Sequence, residues 1–125
     1  MKEMNAQENA KIVRVLKSLG DENRFQIISL LLKSDLCVGA LARILDISKP
    51  AVSQHLKILR EAGLVRGEKI GYWTHYRVEK DLLQESSLHL QKLIEPQFDS
   101  LTTSAYTSND DYICLRKNEE ETDTE

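Results

Sequence analysis

Hydrophobic residues recur at helical spacing along the first part of the chain and predict two helices. The first is expected from about Asn5 to Leu19 and ends at Gly20. The second begins after Asp21, a good N-cap residue, and extends to about Ser34. Its apolar residues are Phe25, Ile27, Ile28, Leu30, Leu31 and Leu32. Because this run is almost continuous, we expect the second helix to lie at the centre of the core.

Two further helices follow, joined by a tight turn at residues 46–48. The earlier helix covers about Val38 to Leu45. Its expected inward residues are Leu41, Ile44 and Leu45. The later helix has clear limits, since Ser48 is a capping residue, Pro50 lies in the first turn and Gly63 ends the helix. Two short helices joined in this way form the helix-turn-helix pattern.

The later helix of this pair has two unlike faces. Val52, Leu56 and Leu59 recur at helical spacing and predict a buried stripe. The opposite face is polar, with His55 beside it. Its residues are Ser48, Lys49, Ser53, Gln54 and Lys57. Hydroxyls, an amide and lysines are groups that reach base edges and phosphates in a major groove, so this face predicts double-stranded DNA as the partner.

Period-two patterning after this helix predicts a β-hairpin. Residues 64–69 and 72–78 are rich in aromatic and β-branched side chains, and Gly71 supplies a turn between them. Trp73 and Tyr76 are expected to be packing residues. A helix-turn-helix followed by a hairpin is a winged helix, so the predicted fold class is mainly α with a small β-hairpin.

A fifth helix is expected from about Asp81 to Glu95, where Pro96 kinks or ends it. It carries more apolar surface than a domain of this size easily covers. This surplus, together with the apolar face of the first helix, predicts a two-fold homodimer through the first and fifth helices. The alternative is that these two helices pack only on each other within one chain.

Length and composition favour one cytoplasmic domain. The chain has 125 residues, of which 41% are hydrophobic and 30% charged. We expect a winged-helix domain over residues 1–101 and a polar, acidic, largely flexible tail over residues 102–125. No apolar run approaches the ~20 residues of a membrane span, and the N-terminus lacks the apolar core of a secretion signal. No catalytic constellation stands out, so we expect the protein not to be an enzyme.

Charge is distributed unevenly along the chain. The formal net charge is −3, but residues 109–125 contain seven acidic and two basic side chains, whereas residues 43–80 contain eight basic and four acidic ones. Attraction to phosphate depends on the local field at the docking face, so the helix-turn-helix and hairpin form the half suited to DNA. The alternative is that these cations only solvate a surface.

Three segments, in this order across roughly residues 10–80, resemble the ArsR/SmtB group of winged-helix repressors. They are SLGDENRFQIISLLL, SDLCVGALARILDISKPAVSQHLKILREAGLV and GEKIGYWTHYRV. The resemblance implies a homodimer on an imperfect palindromic operator, with the fourth helix in the major groove and the hairpin wing in the neighbouring minor groove or on the backbone. It also implies a repressor that a metal ion, a metalloid or thiol oxidation releases from DNA.

Individual DNA contacts are expected on the fourth helix and the wing. Ser53 and Gln54 are the expected base-reading residues. His55 matches the histidine of the family's S-x-H-L pattern and either touches the DNA backbone or only buttresses the helix. The remaining expected contacts are Ser48 and Lys49 near phosphate at the helix N-terminus, Lys57 and Arg60 as phosphate ligands, and Lys69 and Tyr72 in the wing.

The sequence matches the family's sensor-site patterns only in part. Members that sense arsenite, lead or cadmium often carry a CVC motif at the start of the third helix, and here Cys37 is present but the second position is Gly39. The family's other common site lies across the fifth helices, with Asp and His near the start of the helix and His and Glu a few turns later. This chain does not match that pattern, since His89 is the only histidine in the fifth helix. Cys114 lies in a short apolar island and could join Cys37 in a two-thiolate site for arsenite, cadmium or lead, or in a redox pair.

Two alternatives to this sensing repressor stay open. The two cysteines have no joint role if Cys37 is a small semi-buried residue and Cys114 belongs only to the tail. The chain would then be a DNA-binding regulator without small-molecule input, controlled by its abundance or by a protein partner. A winged helix that binds proteins instead of DNA is the third hypothesis, which the basic face of the fourth helix disfavours.

Overall fold

The computed structural model describes residues 6–95, and its winged helix-turn-helix fold confirms the predicted fold class. The elements are α1 Ala6–Leu19, α2 Glu22–Lys33, β1 Leu36–Cys37, α3 Val38–Leu45, α4 Lys49–Glu61, β2 Val65–Ile70, β3 Trp73–Val78 and α5 Lys80–Ile94. The expected role of Pro96, the domain boundary at residue 101 and the acidic tail at 102–125 lie outside the described residues.

The sheet contains one strand more than the sequence predicts. β1 is only two residues long, and it pairs antiparallel with β3 through Leu36 opposite Tyr76 and Cys37 opposite His75. β3 pairs on its other side with β2, which gives the strand order β1-β3-β2. The hairpin is therefore tied to the start of α3, and this extra pairing stabilises a ribbon that would be marginal alone.

The core lies where the helices meet the base of the hairpin. Its buried hydrophobic cluster consists of Val15, Ile27, Ile28, Leu31, Leu41, Ala42, Val52, Leu56, Leu59, Leu64, Val65 and Val78. The stripe predicted on α4 is confirmed, because its three apolar residues are almost completely buried. Burying one face of each helix leaves the opposite face of α4 in solvent.

Four burial expectations are wrong. Phe25 and Leu32 are 59% and 42% exposed, since α2 turns only the face of Ile27, Ile28 and Leu31 into the core. On α3, Ile44 is 54% exposed although Leu41 is buried. Trp73 is 63% exposed. Hydropathy alone does not determine which of these residues are buried, because the core of a small domain has room for one face of each helix and not for every apolar residue.

Tyr76 packs against the core, as expected. Its ring lies over Gly67, the residue opposite it on β2. A Cβ built on Gly67 would come within 3.1 Å of the Tyr76 ring and 3.0 Å of the Thr74 methyl group. The glycine thus leaves the space in which the aromatic ring covers the strand, which fixes the wing on the body of the domain.

Apolar side chains of α1 and α5 extend beyond the core. On α5, Leu82 and Leu83 pack against the core, whereas Leu88, Leu90 and Leu93 are 49%, 39% and 70% exposed. On α1, Val13 and Leu16 are also exposed. We call these exposed residues of α1 and α5 the apolar surface. Within residues 6–95, no helix is both long enough and apolar enough to cross a membrane.

Candidate nucleic-acid interface

The turn between α3 and α4 sets the direction of α4. Asp46 ends α3 in the left-handed conformation, with φ 57° and ψ 47°, and its backbone N–H donates to the Ala42 carbonyl. The N–H of Ile47 also donates to this carbonyl, at 3.2 Å. Aspartate tolerates this conformation better than bulky residues do, so three residues suffice to turn the chain from α3 into α4.

The start of α4 is capped as the sequence predicts. Ser48 Oγ accepts a hydrogen bond from the backbone N–H of Ala51 at 3.2 Å, and Pro50 lies in the first turn. At the other end of the helix, Gly63 adopts φ 85° and the chain enters β2. The exposed N-terminal turn keeps the positive end of the helix dipole in solvent, where it favours a phosphate group.

The solvent-facing side of α4 is polar, and all of its side chains except Ser48 lack a partner in the described part of the chain. These residues, which we call the reading face, are Ser48, Lys49, Ser53, Gln54, Lys57 and Arg60, and all are exposed. Beyond the capping bond of Ser48, their side chains make no hydrogen bond or ion pair within residues 6–95. The amide, the hydroxyls and the cations are therefore free to contact an external ligand.

His55 lies beside the reading face but is turned toward the protein. Its side chain is 18% exposed, and its Nδ1 lies 3.3 Å from Arg24 Nη1 and 3.9 Å from Asp21 Oδ2. A guanidinium only donates hydrogen bonds, so this contact is a hydrogen bond in the tautomer in which Nδ1 is the acceptor. Arg24 Nε also donates to the Ser18 carbonyl at 2.7 Å. These contacts connect α4 to the corner between α1 and α2.

Arg24 is a site residue that the sequence analysis misses. It is separated from His55 by 31 positions, and no local pattern connects the two. Asp21 completes the cluster: the backbone N–H of Arg24 donates to its carboxylate at 3.1 Å. This hydrogen bond lowers the pKa of Asp21, and the charges of Arg24 and His55 act in the same direction against the opposing desolvation. An ionised cap therefore faces the histidine at neutral pH.

Ion pairs neutralise most of the cations in the wing. Arg77 Nη2 lies 2.6 Å from Asp35 Oδ2 and 3.5 Å from Glu68 Oε1, and the hydrogen bond to Asp35 raises the pKa of Arg77. Arg66 Nε lies 3.3 Å from Glu79 Oε2. Of the described cations of β2 and β3, only Lys69 has no such pair. Positive charge from the wing is therefore concentrated near its tip.

Cys37 occupies the N-cap position of α3 without making a capping hydrogen bond. It is half-buried and lies opposite His75 in the sheet. Among residues 6–95, no three histidine, cysteine, aspartate or glutamate residues are grouped closely enough to hold a metal ion. Cys114 lies outside the described residues, so the pairing of the two cysteines stays a prediction.

Comparisons with known proteins agree on one family. Residues 21–66 match the family described as "Bacterial regulatory protein, arsR family". The arsenical resistance operon repressor of Escherichia coli is 45% identical over 67 residues, which cover 53% of this chain and 57% of that protein. The transcriptional activator HlyU of Vibrio cholerae is 38% identical over 96 residues, which cover 74% of this chain and 82% of that protein.

A solved structure extends the comparison to the fold. It is the homodimeric winged helix-turn-helix DNA-binding domain from Mycobacterium bovis, which matches with a TM-score of 0.59 and 25% identity. The match covers 80% of this chain and 95% of that one. The elements that carry the reading face and the wing therefore occur together in a DNA-binding domain of similar architecture.

Proposed function

Because this chain belongs to the ArsR family of bacterial regulatory proteins and is a DNA-binding transcription regulator, we propose that it acts as a homodimeric repressor on an imperfect palindromic operator. The observation that carries this proposal is the reading face of α4, whose side chains are exposed and, apart from the capping bond of Ser48, have no partner within residues 6–95, while the opposite side of the helix is buried. Such a regulator acts where bacterial DNA lies, so the cytoplasm is its proposed location.

Sequence recognition is assigned to the middle of the reading face. Gln54 can make a bidentate contact with an adenine edge, and Ser53 is short enough to approach a neighbouring base. Lys57 and Arg60 supply charge for the flanking phosphates, as do Lys49 and the N-terminal turn of α4. His55 contributes by holding the helix against α2, and a direct contact from it to the DNA backbone is the other role proposed for it.

Dimerisation is assigned to the apolar surface of α1 and α5. Five hydrophobic side chains there are exposed in a single chain, and apolar area of this kind is stabilised by burial against a second copy. A two-fold dimer carries two copies of α4, which fit half-sites one helical turn of DNA apart. The solved domain from Mycobacterium bovis is homodimeric, which supports a dimer.

Base reading is tested by replacing Gln54 with alanine. A duplex chosen by the wild-type protein from a random-sequence library, below called the selected duplex, and a scrambled duplex serve as probes. We expect the variant to lose about 1–3 kcal/mol of discrimination between them because the bidentate contact is gone. Fluorescence anisotropy at one salt concentration measures both affinities.

Gln26→Ala is the matched control for this experiment, because Gln26 is also an exposed helical glutamine but lies on α2. Its discrimination should equal that of the wild type. If Gln54→Ala binds both duplexes as the wild type does, Gln54 does not belong to the base-reading set.

Release from DNA is assigned to a thiol switch that includes Cys37, with Cys114 as its second thiol. The position of Cys37, at the junction of β1 with the N-terminus of α3, links it to the helix-turn-helix and to the wing. Two thiolates suit arsenite, cadmium or lead, and they can also form a disulfide. The relative from Escherichia coli is named for arsenical resistance, which supports a thiophilic inducer.

The thiol switch predicts that Cys37→Ser keeps the affinity for the selected duplex but loses release by arsenite, cadmium and mild peroxide. Anisotropy of the preformed complex measures release, and ultraviolet charge-transfer absorbance measures thiolate–metal bonds. Cys114→Ser should lose the same responses if both thiols act together. If the wild-type complex persists under all three treatments and no absorbance band forms, the alternative holds: a regulator without small-molecule input, controlled by abundance or a protein partner.

A further inference from the structure

A pocket of about 310 Å³ is lined by residues of α1, α2 and the last part of α4. Its volume falls in the range of about 300–1,000 Å³ that is typical of small-molecule sites. Three cationic side chains line it, Arg14 and Lys17 from α1 and Arg24 from α2. α4 contributes Ile58 and Glu61. Neither the reading face nor the thiol switch accounts for this cluster of charged side chains.

Two of the three cations have no partner in the described part of the chain. Arg14 and Lys17 are exposed and make no hydrogen bond or ion pair within residues 6–95. Arg24 donates from Nε and Nη1, and its Nη2 makes no hydrogen bond to these residues. The carboxylate of Glu61 forms no ion pair with any of the three. Three cations thus stand against one carboxylate, and this excess of positive charge attracts an anion.

The composition of the pocket indicates a small carboxylate as the ligand. Guanidinium and ammonium groups donate charge-assisted hydrogen bonds to carboxylate oxygens, and a guanidinium can donate two of them at once. Ile58 is half-buried and offers apolar surface to a short hydrocarbon chain attached to the carboxylate. Glu61 repels a second negative charge, so a monoanion fits the pocket better than a dianion such as a phosphate monoester.

The pocket stays open in the proposed dimer. Arg14 lies two positions before Leu16, which belongs to the apolar surface, and residues two positions apart point to nearly opposite sides of a helix. Burial of Leu16 against a second copy therefore leaves the Arg14 side of α1 in solvent.

Arg24 connects the pocket with the helix that carries the reading face. Its Nη1 lies 3.3 Å from His55 Nδ1, and its Nε donates to the Ser18 carbonyl at 2.7 Å. A carboxylate is a stronger acceptor than a neutral imidazole nitrogen, because hydrogen bonds to an ionised acceptor are shorter and roughly twice as strong. A carboxylate in the pocket thus competes with His55 for the Arg24 guanidinium and weakens the contact between α2 and α4.

We propose that this pocket binds a small organic monocarboxylate through Arg14, Lys17 and Arg24, and that the ligand lowers the affinity for DNA by drawing Arg24 away from His55. The binding step does not depend on DNA, whereas the effect on affinity rests on the proposed function. Linkage then requires that DNA lower the affinity for the carboxylate by the same factor.

Binding is tested with butyrate as the probe, in two-dimensional amide NMR titrations of the full chain at constant ionic strength. Signals of residues around the pocket should shift and saturate with butyrate, whereas butyramide, its uncharged analogue, should leave them unchanged. Acetate should bind more weakly because it lacks the hydrocarbon chain that packs on Ile58. Equal and unsaturated shifts with butyrate, acetate and inorganic phosphate would show that the cations only attract counterions, which would overturn the proposal.

Lys17→Gln removes one cation of the pocket, and Lys33→Gln is its matched control, because Lys33 is an exposed lysine of α2 that does not line the pocket. Lys17→Gln should weaken butyrate binding by about fivefold, while Lys33→Gln binds as the wild type does. Glu61→Gln should strengthen binding, since the repulsion from its carboxylate is gone. Equal affinities for butyrate in all of these proteins would place the binding elsewhere and contradict the assignment.

The effect on DNA is measured by anisotropy with the selected duplex. Saturating butyrate should lower the affinity of the wild type by about fivefold, and butyramide should have no effect. Without butyrate, Lys17→Gln should bind the duplex as the wild type does, and its loss should be smaller at the butyrate concentration that half-saturates the wild type.

The two steps of the inference fail separately from the proposed function. If butyrate binds in the pocket and the affinity for the selected duplex is unchanged, the link through Arg24 is wrong while the regulator function stands. If the NMR titration shows no saturable binding, the pocket is not a carboxylate site. If the wild type binds no duplex, the proposed function is wrong, and with it the effect of the ligand on DNA binding.

Discussion

Replacing Leu93 with glutamate is expected to separate the proposed dimer into monomers and to lower the affinity for the selected duplex by about two orders of magnitude. Leu93 is 70% exposed in the single chain, so glutamate is hydrated there and the fold is kept. In the dimer the same carboxylate would be buried in an apolar interface without a partner, which costs several kcal/mol. Two linked half-site contacts typically gain about 10²–10⁴ over one, and a monomer loses that gain. Sedimentation equilibrium and anisotropy measure the two effects.

Ile44→Glu is the control for oligomeric state. Ile44 is also an exposed aliphatic residue, at 54%, but it lies on α3, away from the apolar surface of α1 and α5. This variant should stay dimeric at concentrations where Leu93→Glu is monomeric, and circular dichroism should report the same helix content for both. A Leu93→Glu protein that remains dimeric would remove α5 from the proposed interface.

Leu56→Ala should destabilise the domain by about 3 kcal/mol. Leu56 is 1% exposed at the back of the reading face, and truncating a buried leucine loses both its transfer free energy and the packing around the cavity that remains. Urea denaturation at a fixed protein concentration measures the change, since the midpoint of a dimer depends on concentration.

Lys57→Ala is the neighbouring control, because Lys57 is exposed on the opposite side of the same helix. Its free energy of unfolding should stay within about 0.5 kcal/mol of the wild type, while its affinity for DNA becomes less dependent on salt. Equal stability losses in both variants would contradict the division of α4 into a buried and a reading face.

Local signals in the sequence predict α4 and its surroundings well. Asp21 and Ser48 both cap helices through their side chains, and Gly63 takes the left-handed turn that ends α4. Each of these depends on interactions within four residues, so a single sequence contains the necessary information. The same holds for the alternation that predicts the hairpin and for the polar character of the reading face.

Contacts between distant segments could not be predicted in the same way. β1 exists because Leu36 meets Tyr76, forty positions later, and two residues are too few for a periodic pattern. The contact of His55 with Arg24 also depends on how α4 docks against α2. Phe25 and Trp73 illustrate the converse, because an apolar side chain indicates only that burial is favourable and not that the domain has space for it.

The central claim is that the reading face of α4 binds base pairs, twice in each symmetric dimer. Titration of the wild-type protein into the selected and scrambled duplexes over a series of salt concentrations tests it most directly. We expect two protomers per selected duplex, an affinity that falls steeply with salt, and a preference for the selected duplex that persists at every concentration. A protein that stays monomeric and binds neither duplex at low ionic strength would contradict the claim.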